Sequence, residues 1–112
     1  MVRHAGPSRS SDAVPVFAAL GDATRLRLLA RLCASGPLSI ARLTEGSDIS
    51  RQAITKHLRA LEHAGLLRGV RAGRERLWEL QPRRLEQARS YLEVISRQWD
   101  QALERLRVFV EG

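Results

Sequence analysis

A short segment near the middle of the chain carries side chains suited to binding nucleic acid. Five polar or basic residues after Ser50 have spacings that leave them on one side of a helix, away from its apolar face. An amide side chain can hydrogen-bond adenine, and a guanidinium or ammonium group can bind guanine or a phosphate. The segment is therefore a candidate for base recognition, with a merely solvated basic face as the alternative. The five residues are Arg51, Gln52, Thr55, Lys56 and Arg59.

A helix-turn-helix would position these side chains. Ser39 and Ser50 each carry a hydroxyl suited to capping the start of a helix. Each serine is preceded by an apolar residue and followed, four positions later, by another that can pack on the first. Residues 45–48 contain glycine, serine and aspartate and predict the turn between the two helices. The second helix is expected to end near Gly65.

Two further helices are predicted before this pair. The first is apolar over residues 13–20 and ends at Gly21, because glycine tolerates the left-handed conformation of helix ends. Asp22 can then cap a second helix that ends at Ser35. Apolar residues at helical spacing predict a buried stripe on this second helix. The stripe comprises Leu26, Leu28, Leu29, Leu32 and Cys33.

A β-hairpin is predicted after the helix that begins at Ser50. The apolar period changes towards two over residues 66–80, with a turn at Ala72 and Gly73. Arg71, Arg74 and Arg76 lie on or beside this turn. The hairpin therefore adds a second basic element to the helix.

The last helix is predicted to be long and to carry an apolar seam. Pro82 is well placed as its first residue, and apolar residues then alternate at spacings of three and four. A domain this small cannot cover such a seam, so we expect a second copy of the chain to face it. The alternative is packing along the domain's own core. The predicted dimer interface comprises Phe17 of the first helix with Leu85, Leu92, Ile95, Trp99 and Leu106.

Positive charge is concentrated on the helix and hairpin. The chain has a net charge of +7 at pH 7, and residues 50–84 contain nine basic and three acidic side chains. Such a surface attracts polyanions and predicts double-stranded DNA as the partner. The alternative is an interaction module whose basic face binds an acidic protein. Gln52 and Thr55 favour DNA, because base recognition needs neutral polar groups and attraction to an acidic surface does not.

Three stretches of the sequence match a known family pattern: FAALGDATRLRLLARL from Phe17, ISRQAITKHLRALEHAGLL from Ile49 and RAGRERLWEL from Arg71. On these residues the chain resembles the ArsR-type winged helix-turn-helix regulators. The resemblance implies a mainly α fold with a small β-hairpin wing and a symmetric dimer through the first and last helices. It also implies that the Ser50–Ala64 helix enters the major groove, that the hairpin lies over the minor groove, and that some signal relieves repression. The predicted DNA-binding residues are Ser50, Arg51, Gln52, Thr55, Lys56, Arg59, Arg71, Arg74 and Arg76.

The chain departs from the metal-sensing members of this family. Some carry a cysteine pair in the helix that begins here at Ser39, and others carry histidine and carboxylate ligands on the last helix. This chain has no cysteine in the former and no histidine in the latter. His57 and His63 lack a cysteine or carboxylate cluster that would complete a site. We therefore predict no metal and no other cofactor, and expect His57 to hydrogen-bond within the domain or to a phosphate.

The controlling signal is left open by the residues. Cys33 is expected in the core, with redox sensing as a lesser alternative. Tyr91 and Trp99 would either line a small-molecule pocket at the dimer interface or only pack there. An unidentified small-molecule effector is therefore a candidate partner, and activation remains an alternative to repression.

The expected organisation is a flexible leader over residues 1–11, a DNA-binding core over residues 12–81 and a dimerisation helix over residues 82–112. The sequence contains no recognisable nucleophile with its base and no phosphate-binding glycine loop, so we do not expect an enzyme. It also contains no membrane-spanning stretch and no secretory signal. We therefore predict a cytoplasmic protein without a membrane partner.

Overall fold

The computed structural model describes residues 10–112, so the leader predicted over residues 1–11 lies almost wholly outside the described residues. Five helices and three short strands follow in the predicted order, with one additional strand. The fold is mainly α with a small β-hairpin, as the sequence predicts. The elements are α1 (Ser10–Leu20), α2 (Ala23–Ser35), β1 (Leu38–Ser39), α3 (Ile40–Thr44), α4 (Arg51–His63), β2 (Leu67–Ala72), β3 (Glu75–Leu80) and α5 (Pro82–Glu111).

Side-chain caps fix the starts of three helices. Asp22 caps α2, Ser39 caps α3 and Ser50 caps α4. Each side chain accepts a hydrogen bond from the backbone amide three residues later, at 3.0, 3.2 and 3.1 Å respectively. Each cap satisfies an amide that has no partner inside its helix. All three caps agree with the sequence prediction.

The end of α4 is fixed by Gly65, which has a φ of 84°. The amide of Leu66 donates to the carbonyl of Leu61, and the amide of Gly65 donates to that of Glu62, both at 2.9 Å. This pair of hydrogen bonds is the Schellman arrangement of helix ends. A Cβ at position 65 would lie only 2.7 Å from Cγ of Arg84. Both the backbone and its surroundings therefore favour glycine where the chain leaves α4 for the hairpin.

The three strands form one antiparallel sheet in the order β1-β3-β2. In the hairpin, Leu67 pairs with Leu80 and Ala72 pairs with Glu75. The turn therefore consists of Gly73 and Arg74, one residue later than predicted. The two-residue strand β1 adds to the other edge of β3. It was not predicted, because a strand this short has no periodicity of its own.

The core lies between α2, α4 and the sheet. Its buried side chains include Leu28, Leu29 and Leu32 of α2. The predicted stripe on α2 was wrong along one edge, because Leu26 is 49% exposed and Cys33, two turns later on the same side of the helix, is also exposed. At about 100° per residue, both positions lie roughly 100° around the helix from the centre of the buried arc. The remaining core residues include Val16, Leu43, Ile54, Leu58, Leu61, Leu66, Leu67, Trp78 and Ala88.

Helix α5 spans 30 residues and packs against α1 only near its own start. Ala88 is buried there, and the rings of Phe17 and Tyr91 lie 6.3 Å apart. From Leu92 onward the apolar seam is exposed to solvent. None of the helices in the described part of the chain is long and apolar enough to cross a bilayer. The exposed seam members include Leu92, Ile95, Trp99, Leu103, Leu106 and Phe109.

Candidate nucleic-acid interface

Helix α4 has one buried face and one exposed face. Ile54, Leu58 and Leu61 are almost fully buried and hold the helix on the core. The opposite side presents Gln52, Lys56, Arg59 and His63 to solvent. Because α4 keeps its buried face on the domain, this exposed face is the one available to a ligand as large as DNA. The first turns of α4 form an open concave surface lined by Ser50, Arg51, Gln52, Ala53, Thr55 and Lys56.

The predicted residues on α4 differ in what they have left to offer a partner. The Ser50 hydroxyl oxygen already accepts the capping hydrogen bond. Thr55 is half-buried, and its hydroxyl donates to the carbonyl of Arg51 at 2.9 Å, so it offers a partner an acceptor rather than a donor. Gln52 is exposed. Its amide can both donate and accept, which is what recognition of adenine requires.

A cleft separates α4 from the hairpin, and we call it the wing cleft. It has a volume of about 380 Å³ and brings together residues from α4 and from the hairpin that are about 20 positions apart in sequence. Five predicted DNA-binding residues lie on it. The wing cleft is lined by Ser39, Ile40, Ala41, Arg51, Thr55, Arg59, Arg74, Glu75, Arg76 and Trp78.

Packing within the hairpin holds Arg76 in place. Its guanidinium carbon lies 5.8 Å from the centre of the Trp78 ring, a cation–π distance. A Cβ on Gly69 would lie 3.1 Å from Cδ of Arg76, so the absence of a side chain at position 69 leaves room for this arginine. Arg71 is the direct partner of Arg76 across the two strands. The hairpin thus carries two neighbouring cations beside the wing cleft.

Most of the predicted basic residues are electrostatically free. Among the side chains of residues 13–112, Arg51, Lys56 and the three hairpin arginines at 71, 74 and 76 form no ion pair with a carboxylate. Arg59 lies 3.6 Å from Glu62, but this pair is solvent-exposed and weak. A row of uncompensated cations on one surface is the arrangement that binds a phosphate backbone.

His57 has an internal role. Its Nδ1 accepts a hydrogen bond from Nε of Arg25 at 3.3 Å. Arg25 also donates to the carbonyls of Ala18 and Ala19 at the end of α1. The network therefore ties α1, α2 and α4 together and confirms that His57 hydrogen-bonds within the domain.

Asp22 borders this network. The hydrogen bond from the backbone amide of Arg25 is the largest cause that holds the pKa of Asp22 below its ordinary value, and nearby His57 acts in the same direction. The carboxylate of Asp22 lies 3.9 Å from Nδ1 of His57. Asp22 therefore remains charged at neutral pH and keeps its cap on α2.

A second groove flanks α4 on the side away from the hairpin, and we call it the α1 groove. It contains two basic residues, Arg25 and His63, that were not among the predicted DNA-binding residues. His63 lies seven residues, or two turns, after Lys56, and this spacing could have identified it. Arg25 comes from α2 and could not be placed without the tertiary structure. The α1 groove is lined by Pro15, Ala18, Ala19, Arg25, Lys56, Arg59, Ala60, His63 and Ala64.

No group of three or more histidine, cysteine, aspartate or glutamate side chains in the described range could hold a metal ion. Cys33, which was predicted to be a core residue, lies on the surface of α2. That the protein binds no metal stays a prediction from the sequence, and so does the lesser alternative of a redox role for Cys33.

A helix-turn-helix with a basic exposed second helix, followed by a basic β-hairpin, defines a winged-helix DNA-binding protein. Comparison with known proteins agrees. A helix-turn-helix domain family matches residues 20–70. The HTH-type transcriptional regulator Rv2034 of Mycobacterium tuberculosis is 38% identical over 85 residues, which are 76% of each chain. The chain belongs to the ArsR-type winged helix-turn-helix transcriptional regulators.

Solved structures share the whole fold. An ArsR-like transcriptional regulator from Rhodococcus sp. RHA1 is 35% identical, with a TM-score of 0.77 over 89% of this chain and 93% of that one. The homodimeric winged helix-turn-helix DNA-binding domain Mb0332 of Mycobacterium bovis is 20% identical, with a TM-score of 0.62 over 85% of this chain and 92% of that one. The second likeness shows the fold alone. The protein is thus a transcriptional regulator with a helix-turn-helix DNA-binding domain.

Proposed function

We propose that the protein is a homodimeric repressor that binds a palindromic operator. In this proposal α4 enters the major groove and the hairpin of β2 and β3 lies over the minor groove as a wing. The observation that carries the proposal is the shared surface of α4 and the hairpin. That surface combines unpaired cations with one exposed neutral amide, Gln52, at the start of α4.

The two kinds of side chain have different roles in this proposal. Phosphate contacts orient a protein on DNA, whereas contacts with base edges select the sequence. Gln52 lies in the first turn of α4 and is assigned to adenine. Arg51 and Lys56 bind guanine or phosphate, and Arg74 at the turn of the hairpin binds phosphate. Thr55 and Arg59 lie on α4 where it lines the wing cleft and support contacts on that side.

The dimer of the proposal is built on the exposed seam of α5. A helix of 30 residues is about 45 Å long, and most of the seam beyond Tyr91 has no covering element in residues 10–112. Trp99 is 64% exposed and Phe109 is 82% exposed. Contiguous exposed apolar surface of this kind marks an interaction site. The predicted interface residues Leu85, Leu92, Ile95 and Leu106 are also exposed, whereas Phe17 is partly covered by Tyr91 of its own chain.

Repression follows from this arrangement when the operator overlaps a promoter, because the bound dimer then occupies the DNA that the polymerase needs. We assign relief of repression to an unidentified small-molecule effector. A reporter gene placed behind the operator should rise in expression when the regulator is deleted. A fall in expression on deletion would assign the protein to activation instead.

Selection from random-sequence DNA at near-physiological salt tests the proposal. The purified protein should retain an inverted repeat whose half-sites lie one helical turn apart, about 34 to 36 Å, and should bind it as two chains per site. Retained DNA without sequence preference, with binding lost at modest salt, would contradict sequence recognition. It would favour the alternative that the basic face meets an acidic protein.

A further inference from the structure

We propose that the α1 groove holds the phosphate backbone of the DNA strand that the hairpin does not reach. This inference rests on the proposed function, because it requires α4 to lie in the major groove. It adds a second phosphate-binding surface to the interface. It also assigns a DNA-binding role to Arg25 and His63, two residues outside α4's first turns and the wing.

The dimensions of helix and groove require contacts on both sides of α4. A helix with its side chains is about 10 to 12 Å wide, and the major groove is about 12 Å wide. The two phosphate backbones therefore border a bound helix on opposite sides. The wing cleft lies on one side of α4 and the α1 groove lies on the other, with Arg59 shared between them.

The lining of the α1 groove suits a phosphate backbone. Four basic side chains surround it, and among the side chains described, those of residues 13–112, no carboxylate lines it. Its lining also includes small residues, among them Ala18 on α1 and Ala60 on α4. Small side chains allow a bulky sugar-phosphate chain to approach the surrounding nitrogen donors closely. The four basic residues are Arg25, Lys56, Arg59 and His63.

Arg25 is oriented before any DNA binds. Its Nε donates to His57, and its Nη1 donates to the carbonyls of Ala18 and Ala19. Within the described residues its Nη2 makes no hydrogen bond. A guanidinium held in this way loses little side-chain freedom when its free nitrogen meets a phosphate oxygen. Arg25 therefore combines a structural role with an available donor on the groove.

A charge series at Ala18 tests the inference. Ala18 is exposed on α1 and lines the groove, so Ala18→Lys, Ala18→Gln and Ala18→Glu place a cation, a neutral group or an anion there without touching α4. The same changes at Ala34 serve as controls, because Ala34 is exposed at the far end of α2 from Arg25. The measurement is the dependence of DNA affinity on salt concentration, and the molecular mass in solution is measured for every variant to show whether it is still a dimer.

The expected changes follow from counterion release. Each phosphate contact contributes about 0.9 to the slope of log affinity against log salt, hence about 1.8 for one contact in each subunit of a dimer. Between 50 and 200 mM salt this corresponds to about a twelvefold change in the loss of affinity. Ala18→Lys should steepen the dependence by up to this amount, Ala18→Glu and Arg25→Gln should flatten it, and Ala18→Gln should leave it unchanged.

The outcomes separate the inference from the proposed function. Equal shifts at Ala18 and Ala34 would show only the general field of the protein, and unchanged slopes at Ala18 would show no strand in the groove. Loss of the dimer in the Ala18 variants, with an unchanged salt slope, would mean that the second copy of the chain covers the α1 groove. Each of these results overturns the inference. Arg74→Ala, measured alongside, should still flatten the slope, and its failure to do so would instead count against the proposed wing.

Discussion

Arg71 and Arg76 face each other directly across strands β2 and β3, and both are exposed. Like charges at such positions repel, because their Cβ atoms are only about 5 Å apart. In the DNA complex that we propose, the phosphate backbone relieves this repulsion. Arg71→Gln should therefore stabilise the free protein and weaken its binding to DNA. The substitution is better made at Arg71, since Arg76 also packs on Trp78.

The expected magnitudes are modest but measurable. Relief of a cross-strand like-charge pair is worth roughly 0.2 to 1 kcal/mol, which corresponds to a rise in Tm of about 1 to 6 °C for a domain of this size. The gain should shrink at 1 M salt, where screening acts over about 3 Å. Loss of one phosphate contact per subunit should lower the salt slope of DNA binding by about 1.8 for a dimer.

Thermal unfolding of the free protein and fluorescence anisotropy with labelled operator DNA measure the two effects. Arg74→Gln is the matched control, because Arg74 lies in the turn and has no cation opposite it in the register. It should weaken DNA binding without raising Tm. If Arg71→Gln lowered Tm, or raised it equally at low and high salt, the repulsion between the two arginines would be refuted.

Three further predictions concern stability and assembly. Gly65→Ala should lower the free energy of unfolding in urea by about 1 to 2 kcal/mol, and by more than Gly46→Ala does. Both glycines have a positive φ, but only position 65 is crowded by Arg84. Equal losses at the two positions would rule out the steric cause. Asp22→Asn should keep the cap on α2 but make the free energy of unfolding less sensitive to acid. The lowered pKa of Asp22 stabilises the wild type above pH 3.8, and this stabilisation is lost as the pH falls further. Parallel curves of unfolding free energy against pH for the two proteins, from pH 3 to 7, would contradict this prediction. Trp99→Glu should weaken self-association at least about tenfold in sedimentation experiments, whereas Gln101→Glu on the opposite face of α5 should not. An unweakened dimer of the Trp99→Glu variant would place the interface elsewhere.

The helices and their boundaries could be predicted because their signals are local. Asp22, Ser39 and Ser50 lie three residues from the amides that they cap, and Gly65 closes the last turn of α4. Strand β1 could not be predicted, because only its pairing with Trp78 and Leu77 defines it. The errors on α2 have a similar cause. The spacing of apolar residues does not show how wide a face of the helix the neighbouring elements cover.

The candidate site divides in the same way. The exposed residues of α4 followed from helical spacing, and the basic hairpin followed from the clustering of arginines. The contact between Arg25 and His57 joins residues 32 positions apart and has no local signal. The wing cleft and the α1 groove likewise depend on how α4 lies against other elements. Which basic residues share a groove therefore became visible only in the folded chain.

Recognition of bases by the first turn of α4 can be tested by comparative selection of random-sequence DNA. Wild-type protein and Gln52→Ala should be carried through the same selection, with equal folding confirmed beforehand. Both proteins should retain an inverted repeat, and the variant should lose its preference at one base pair in each half-site, at a cost of about 1 to 3 kcal/mol for the adenine contact. Identical base preferences of the two proteins at every position would contradict base recognition by Gln52, because α4 would then not place this residue against the bases.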